Sequence, residues 1–399
     1  MMSFLSQPKG YYQMFTALLL ERFCFWGFKS ILFVFLLNVA AFSQEETNSY
    51  LGIFSEAVPF LPLVGGLLID TALRDRKPMV LACRLMLLGS IIVAIAGFTT
   101  TKPFVYLGGL LFLLGGSLFR PGFYSKLIQI YPDKNAASVD AGFVFITMAA
   151  NIGGLFAPIV CGVLYKMVAP GFGFLFAGLA MVPALMLLNQ VSDADQSQPE
   201  LPRNWSQIHT TIAFILIAAV FPLQCIFKSK DIWLASLPDA DSIGNTLQFM
   251  DLAVGVLASI LIPLIWMGLA KKGKPLYTVP KLLVGLIAAL IGTVLIYLSA
   301  SVAPEAGKPA MSIVLTAVAI FAVVDMFVSP VMLAYVSKLV PPERRATYIG
   351  GWMTLTTIIS MVVPLGAGKG VIPVIVSGIA VVLLLVLTKP IQESAVGVL

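Results

Sequence analysis

Long apolar runs separated by short polar breaks make up most of the chain, and the runs are apolar on all sides rather than along one stripe. Crossing a bilayer as a helix takes about 20 such residues. Runs of that length recur at 11–38, 49–73, 78–98, 103–130, 137–167, 171–191, 206–228, 245–270, 279–301, 310–339, 345–366 and 371–389, which predicts twelve transmembrane helices. Strands do not fit, because a membrane barrel alternates apolar and polar residues in segments of about ten. The polar break at 192–206, rich in Asp, Gln and Pro, divides the runs into an N-terminal six-helix bundle (1–191) and a C-terminal one (207–399). It is too short to hold further spans. An even number of crossings puts both termini on one side.

Composition agrees with an all-α membrane protein: 59% of the 399 residues are hydrophobic and 11% charged, too few charges to cover a soluble surface. Lys9, Arg74, Arg76, Lys77, Arg84, Lys126, Lys134, Arg203, Lys271, Lys272, Lys274, Lys281, Lys338, Arg344, Arg345 and Lys389 fall on the side of the termini. Only Lys102, Lys166, Lys228, Lys230, Lys308 and Lys369 fall on the other. The positive-inside rule therefore predicts an inner (plasma) membrane protein with cytoplasmic termini. The net charge of +6 follows from this bias and does not argue for nucleic-acid binding. The N-terminus carries no cleavable signal pattern, so the first run is expected to stay as the first span. Cys24, Cys83, Cys161 and Cys225 lie in or beside apolar runs at scattered spacing, as small core residues do, and no metal or disulfide framework is expected. With no nucleophile–base pair or metal cluster, the sequence predicts no enzyme and no cofactor, and a monomer working in the lipid bilayer.

The two halves carry weak internal similarity, the trace expected of a transporter built from repeats. Glu56 is followed after 21 residues by Lys77, and Asp251 after 21 by Lys272. RPGFYSKLIQIYPDKNA at 120–136 and SPVMLAYVSKLVPPERRA at 329–346 both place a proline in an apolar helix, then Ser-Lys, then a proline and a charged turn.

An ionisable residue at the centre of a membrane helix costs about 3 kcal/mol on insertion scales, so each needs a reason. Glu21, Arg22, Lys29, Glu56, Arg120, Asp251 and Asp325 are such residues. Arg22, Trp26 and Lys29 recur at i, i+4 and i+7 and share a helix face. Arg120 directly precedes Pro121, where a bend turns a side chain toward a cavity. Three cations from two helices call either for carboxylate partners or for an anionic substrate. The only histidine, His209, lies at the cytoplasmic mouth of the seventh run, which leaves proton transfer within the membrane to Asp and Glu.

Four strings resemble the proton-dependent oligopeptide transporter family of the major facilitator superfamily: ERFCFWGFKSIL at 21–32, GIFSEAVPFLPLVGGLLIDTALRDRK at 52–77, LFRPGFYSKLIQIYPDKNAASVDAGFVFITMAANIGGLFAPIVCG at 118–162, and VVDMFVSPVMLAYVSKLVPPERRATYIGGW at 323–352. Their order spans both halves. The resemblance implies a major facilitator fold and a proton-coupled symporter that imports di- and tripeptides, or peptide-like carboxylates, by alternating access. It implies that Arg22, Lys29 and Arg120 engage a carboxylate, that Asn151 and Asp325 face the amino end, and that Gln224 lines the cavity. Proton coupling falls to Glu21, with Glu56 or Asp325 as the second acid. Asp70, Arg74 and Lys77 match the superfamily's cytoplasmic gate motif. The chain also departs from the pattern. Leu18 stands where the family has its first glutamate, Lys29 replaces an arginine, Arg120 a lysine, and Asp325 a glutamate. Two other readings are open: a major facilitator carrier of a non-peptide organic anion, and a transporter-like receptor or assembly partner that moves no solute.

Overall fold

The helices begin where the polar breaks end, and local chemistry sets the starts. α1 (Tyr11–Asn38) follows Gly10, whose φ of 89° turns the chain into the helix. α2 (Gln44–Thr71) opens on a capping box: the Glu46 N–H donates to Ser43 Oγ at 3.1 Å, and the Ser43 N–H donates to Glu46 Oε2 at 2.7 Å. Lys102 Nζ reaches the same carboxylate at 2.8 Å. Lys102 and the Ser43 backbone together hold the Glu46 carboxyl below the usual carboxylate range. α3 (Pro78–Thr99) and α4 (Lys102–Gln129) start with proline in the first turn, where no N–H is missed.

α5 (Ala136–Met167) is followed by α6 (Pro170–Leu179) and α7 (Met181–Gln190), which form one span interrupted at Ala180. Then come α8 (Phe221–Ala235), α9 (Ala240–Lys271), α10 (Thr278–Ser301), α11 (Met311–Leu339), a 3-10 turn at Pro342–Arg344, and α12 (Arg345–Val362). This computed structural model describes residues 7–73, 77–131, 136–191, 220–235, 240–272, 278–301 and 311–362, with single positions at 209, 212, 213, 216, 375 and 379. Among the described residues the regular structure is all helical, and six helices are long and apolar enough to cross a bilayer. The linker at 192–206 lies outside the described residues, as does all of the run at 371–389 but 375 and 379. α8 extends past the end expected at 228, so Lys230, expected in an outer loop, is a helical residue.

Large apolar side chains face outward along these helices, among them Leu110 (55% exposed), Phe156 (52%) and Leu261 (57%). Water would penalise such a surface and lipid does not, so the chain is a multi-pass membrane protein. All four cysteines are buried and free.

The chain contacts fall into two compact units. The first contains α1–α4, α5 from Ala149 onward, α6, α7 and α12 as far as Thr354. There α3 packs along α4 and α6, and α1 against α6 and α7. Its core is aromatic: Phe28 stacks on Phe112 at 4.0 Å and meets Phe174 edge-on at 5.0 Å. α2 crosses the start of α12 without intervening side chains. A methyl group at Gly66 would lie 2.2 Å from the Ala346 carbonyl oxygen, and one at Gly350 would lie 2.0 Å from that of Pro62. Only glycine permits this approach.

The second unit contains the first part of α5, up to Met148, with α8–α11 and the rest of α12. Its polar centre is Asp140, which accepts from Lys281 Nζ at 2.5 Å and Lys338 Nζ at 2.6 Å, with all three side chains buried. Lys281 also lies 4.4 Å from the centre of the Trp266 ring on α9. Two helices beside α5, α10 and α11, thus converge on one carboxylate, and α9 packs a ring against one of the two lysines.

Candidate functional site

In the first unit the mid-helix charges of α1 and α4 meet. Glu21 and Arg22 are neighbours on α1 and both buried, and their side chains form a two-pronged ion pair with Arg22 Nε at 2.5 Å from Glu21 Oε2. The guanidinium lies over the Phe25 ring at 4.9 Å, which fixes its plane. Arg120, on α4 before the internal Pro121, lies in the electrostatic field of Arg22. Arg22 and Arg120 share one recess with Phe25, Phe112, Pro62 and Ser117, so its walls are apolar and its charged groups are guanidiniums. Among the described residues Arg120 makes no ion pair or hydrogen bond. Two cations and one carboxylate leave an excess positive charge facing the recess, which suits one anionic group.

α5 completes this face by close approach. A methyl at Gly153 would lie 2.4 Å from the Leu19 carbonyl oxygen and 2.9 Å from Arg22 Cβ, so the glycine lets α5 lie directly on α1. Asn151, half-buried, precedes it by two residues. Trp26 lies against Gly154. Lys29 is placed differently: its side chain is exposed and caps the Trp26 ring at 5.2 Å, and it does not line the recess. The side chain of Glu56 lies outside the described residues, although its backbone belongs to α2.

Asp70, at the end of α2, accepts the Thr347 N–H at 2.7 Å. Thr347 stands in the first turn of α12, so Asp70 caps that helix from another element. Replacing Asp70 by alanine is expected to cost about 1 kcal/mol locally. Hydrogen exchange of the α12 first-turn amides should accelerate about fivefold. Unchanged exchange there would show that the cap is dispensable. Arg74 lies outside the described residues, and Lys77 donates to the Asn189 carbonyl oxygen at 3.3 Å.

In the second unit Gln224 is half-buried on α8. Asp325, in the middle of α11, accepts from Ser329 Oγ at 2.5 Å, and Lys230 of α8 lies in its electrostatic field. Sequence reasoning missed Lys230, Ser329, Thr347 and the Asp140 cluster. Lys230 carries a weak signal: at i+3 from Phe227 it shares that ring's face of α8, just beyond the apolar run.

A profile described as Major Facilitator Superfamily matches residues 139–364. Dipeptide and tripeptide permease B of Yersinia enterocolitica is 29% identical over 247 residues, covering 58% of this chain and 47% of the permease. The chain spans about half the length of the curated relatives it matches. Among solved structures, a peptide transporter POT in complex with sulfate has a TM-score of 0.62 at 17% identity over 98% of this chain and 96% of that one. A bacterial homologue of the iron transporter ferroportin, in an outward-facing state, has a TM-score of 0.66 at 13% identity over 97% of this chain and 99% of the other. At such identities the likeness is one of fold.

Proposed function

The chain belongs to the Major Facilitator Superfamily, and from that premise we propose a proton-coupled symporter of small peptides, or of peptide-like solutes bearing a carboxylate, working by alternating access. The observation that carries this reading is the apolar-walled recess where Arg22 and Arg120 lie together while Glu21 neutralises only one of them. A carboxylate entering it completes the charge balance, and its desolvation is offset by guanidinium hydrogen bonds. The peptide permease relatives support peptides as the solute class. Asn151, Gln224 and Asp325 serve the remainder of the ligand, and Lys29 acts at the approach rather than in the recess. Asp70 and its neighbours Arg74 and Lys77 serve the cytoplasmic gate. The frame is twelve helices in two six-helix bundles, 1–191 and 207–399, in the inner membrane with cytoplasmic termini.

Ligand charge tests this. Purified protein should bind a dipeptide at least tenfold more tightly than the same dipeptide with an amidated C-terminus, and Arg120→Ala should remove most of that difference. Equal losses for acid and amide would mean that Arg120 only supports the helix bundle. Thermal shift and calorimetry on the two proteins give the answer directly.

A further inference from the structure

Gly108, Gly109 and Gly115 of α4 are explained by packing. A methyl at Gly108 would lie 2.6 Å from Val93 Cγ2, one at Gly109 would run into the Tyr50 hydroxyl, and one at Gly115 would lie 2.6 Å from Met86 Cγ. Gly116 is different: a methyl there meets no atom within 4 Å, and the backbone is ordinary right-handed helix. Neither a close contact nor a special conformation calls for glycine here, in a helix interior where glycine is among the least favourable residues. Gly52, Gly162 and Gly268 are open as well, but none of them lines the recess of Arg22 and Arg120, whereas Gly116 does. Arg120 stands one turn further along the same face of α4, at i+4. Ser117 adds no polar group to the wall, since its Oγ donates to the Leu114 carbonyl oxygen at 2.6 Å. The other walls come from Phe25, Leu61, Pro62 and Phe112, all within the first unit. Beside the guanidiniums the recess therefore keeps an open, apolar space of about 40 Å³.

We infer that Gly116 sets the specificity of the recess for the group borne by the carbon next to the ligand's carboxylate, and that this group is a small apolar side chain, a methyl or little more. This rests on the carboxylate-bearing ligand proposed above and narrows its class. With the carboxylate oxygens on the guanidiniums, the side chain of the same residue starts one bond away and has to occupy whatever space borders them. The space at Gly116 is apolar, so a methyl gains by leaving water there. It is also little larger than the share of liquid that one water occupies, about 30 Å³, so an aromatic ring finds no room. A side chain on residue 116 itself would fill the same space from the protein side. A glycine that merely faced lipid would leave ligand selectivity untouched.

The test uses alanyl-glycine, alanyl-alanine, alanyl-phenylalanine and the C-terminal amide of alanyl-alanine, bound to the purified full chain and followed by calorimetry. The wild type should bind alanyl-alanine about fourfold more tightly than alanyl-glycine, the gain from burying one methyl, and alanyl-phenylalanine no more tightly than alanyl-glycine. Gly116→Ala should weaken alanyl-alanine about fourfold and leave alanyl-glycine within twofold of wild type. Gly116→Val should weaken alanyl-alanine about tenfold and alanyl-glycine far less. Because nothing obstructs a methyl at this position, Gly116→Ala should melt no lower than the wild type. A lower melting temperature for Gly116→Ala, equal losses for alanyl-glycine and alanyl-alanine, or no change for either overturns the inference. If the acid is still preferred to the amide in that case, the carboxylate reading stands and only the role of Gly116 falls. An amide that binds as tightly as the acid, or failure of all four to bind, overturns both.

Discussion

Replacing Asp140 by asparagine is expected to destabilise the second unit by about 3–5 kcal/mol, because it leaves buried ammonium groups without their carboxylate. Asp140 is 2% exposed and receives both Lys281, 1% exposed, and Lys338, 5% exposed. The desolvation of two lysines is met in large part by this one acid, so its loss exceeds the loss of either base. Lys281→Met should be milder: it keeps the Asp140–Lys338 pair as a neutral unit and puts an apolar chain against Trp266, where the ammonium now sits. The decisive comparison is Asp140→Asn with Asp140→Asn/Lys281→Met. The double variant should melt several degrees higher than the single one, since it removes one of the stranded charges. An Asp140→Asn protein that melts within a degree of wild type in detergent would show that water reaches the cluster and that the pairing contributes little.

Glu21→Gln is expected to abolish accumulation of solute under a proton gradient while leaving exchange of internal for external solute measurable. Proton coupling requires a group whose protonated and ionised forms favour different states. Glu21 is fully buried, and both its oxygens are taken by Arg22. A ligand carboxylate that claims Arg22 withdraws the counter-charge that both oxygens of Glu21 now engage, so the acid's charge balance differs between the empty and loaded states. Glutamine cannot complete this cycle, yet it still hydrogen-bonds and keeps Arg22 in reach of the ligand. Ligand affinity in the variant should also lose its dependence on external pH. Uptake that persists against a concentration gradient in Glu21→Gln liposomes would assign the coupling to another acid, with Glu56 and Asp325 the next to substitute.

The helices were legible in the sequence because lipid imposes a length and a uniform apolarity that short polar breaks reveal. Mid-helix charge was legible for the same reason, and it singled out Arg22 and Arg120, which the structure brings to one recess. What could not be read was which charges pair. Asp140 finds partners 141 and 198 residues away, and no local period announces such a match. Counting Lys281 and Lys338 among the cytoplasmic charges treated them as solvated, and folding buries both. The end of α8 was missed because Lys228, Lys230 and Asp231 look like a loop, whereas the helix continues through them. Lys29 keeps the face that its spacing predicts, but an exposed stem folded onto Trp26 takes it away from the recess wall.

The crossing of α2 and α12 has a mechanical consequence. Where long side chains interdigitate, two helices can slide or part gradually while the chains stretch between them; where glycine meets backbone, the contact has no reach. Dispersion between atoms at contact distance falls by a quarter to a half over a gap of only about 0.5–1 Å. Any motion that lifts α12 from Gly66 and Pro62 therefore loses the attraction almost at once, and frees the Thr347 amide from Asp70 in the same step. The joint is brittle rather than elastic. A pair of fluorophores across it should report two levels with abrupt jumps, and a continuous spread of intermediate distances would show instead that the joint yields.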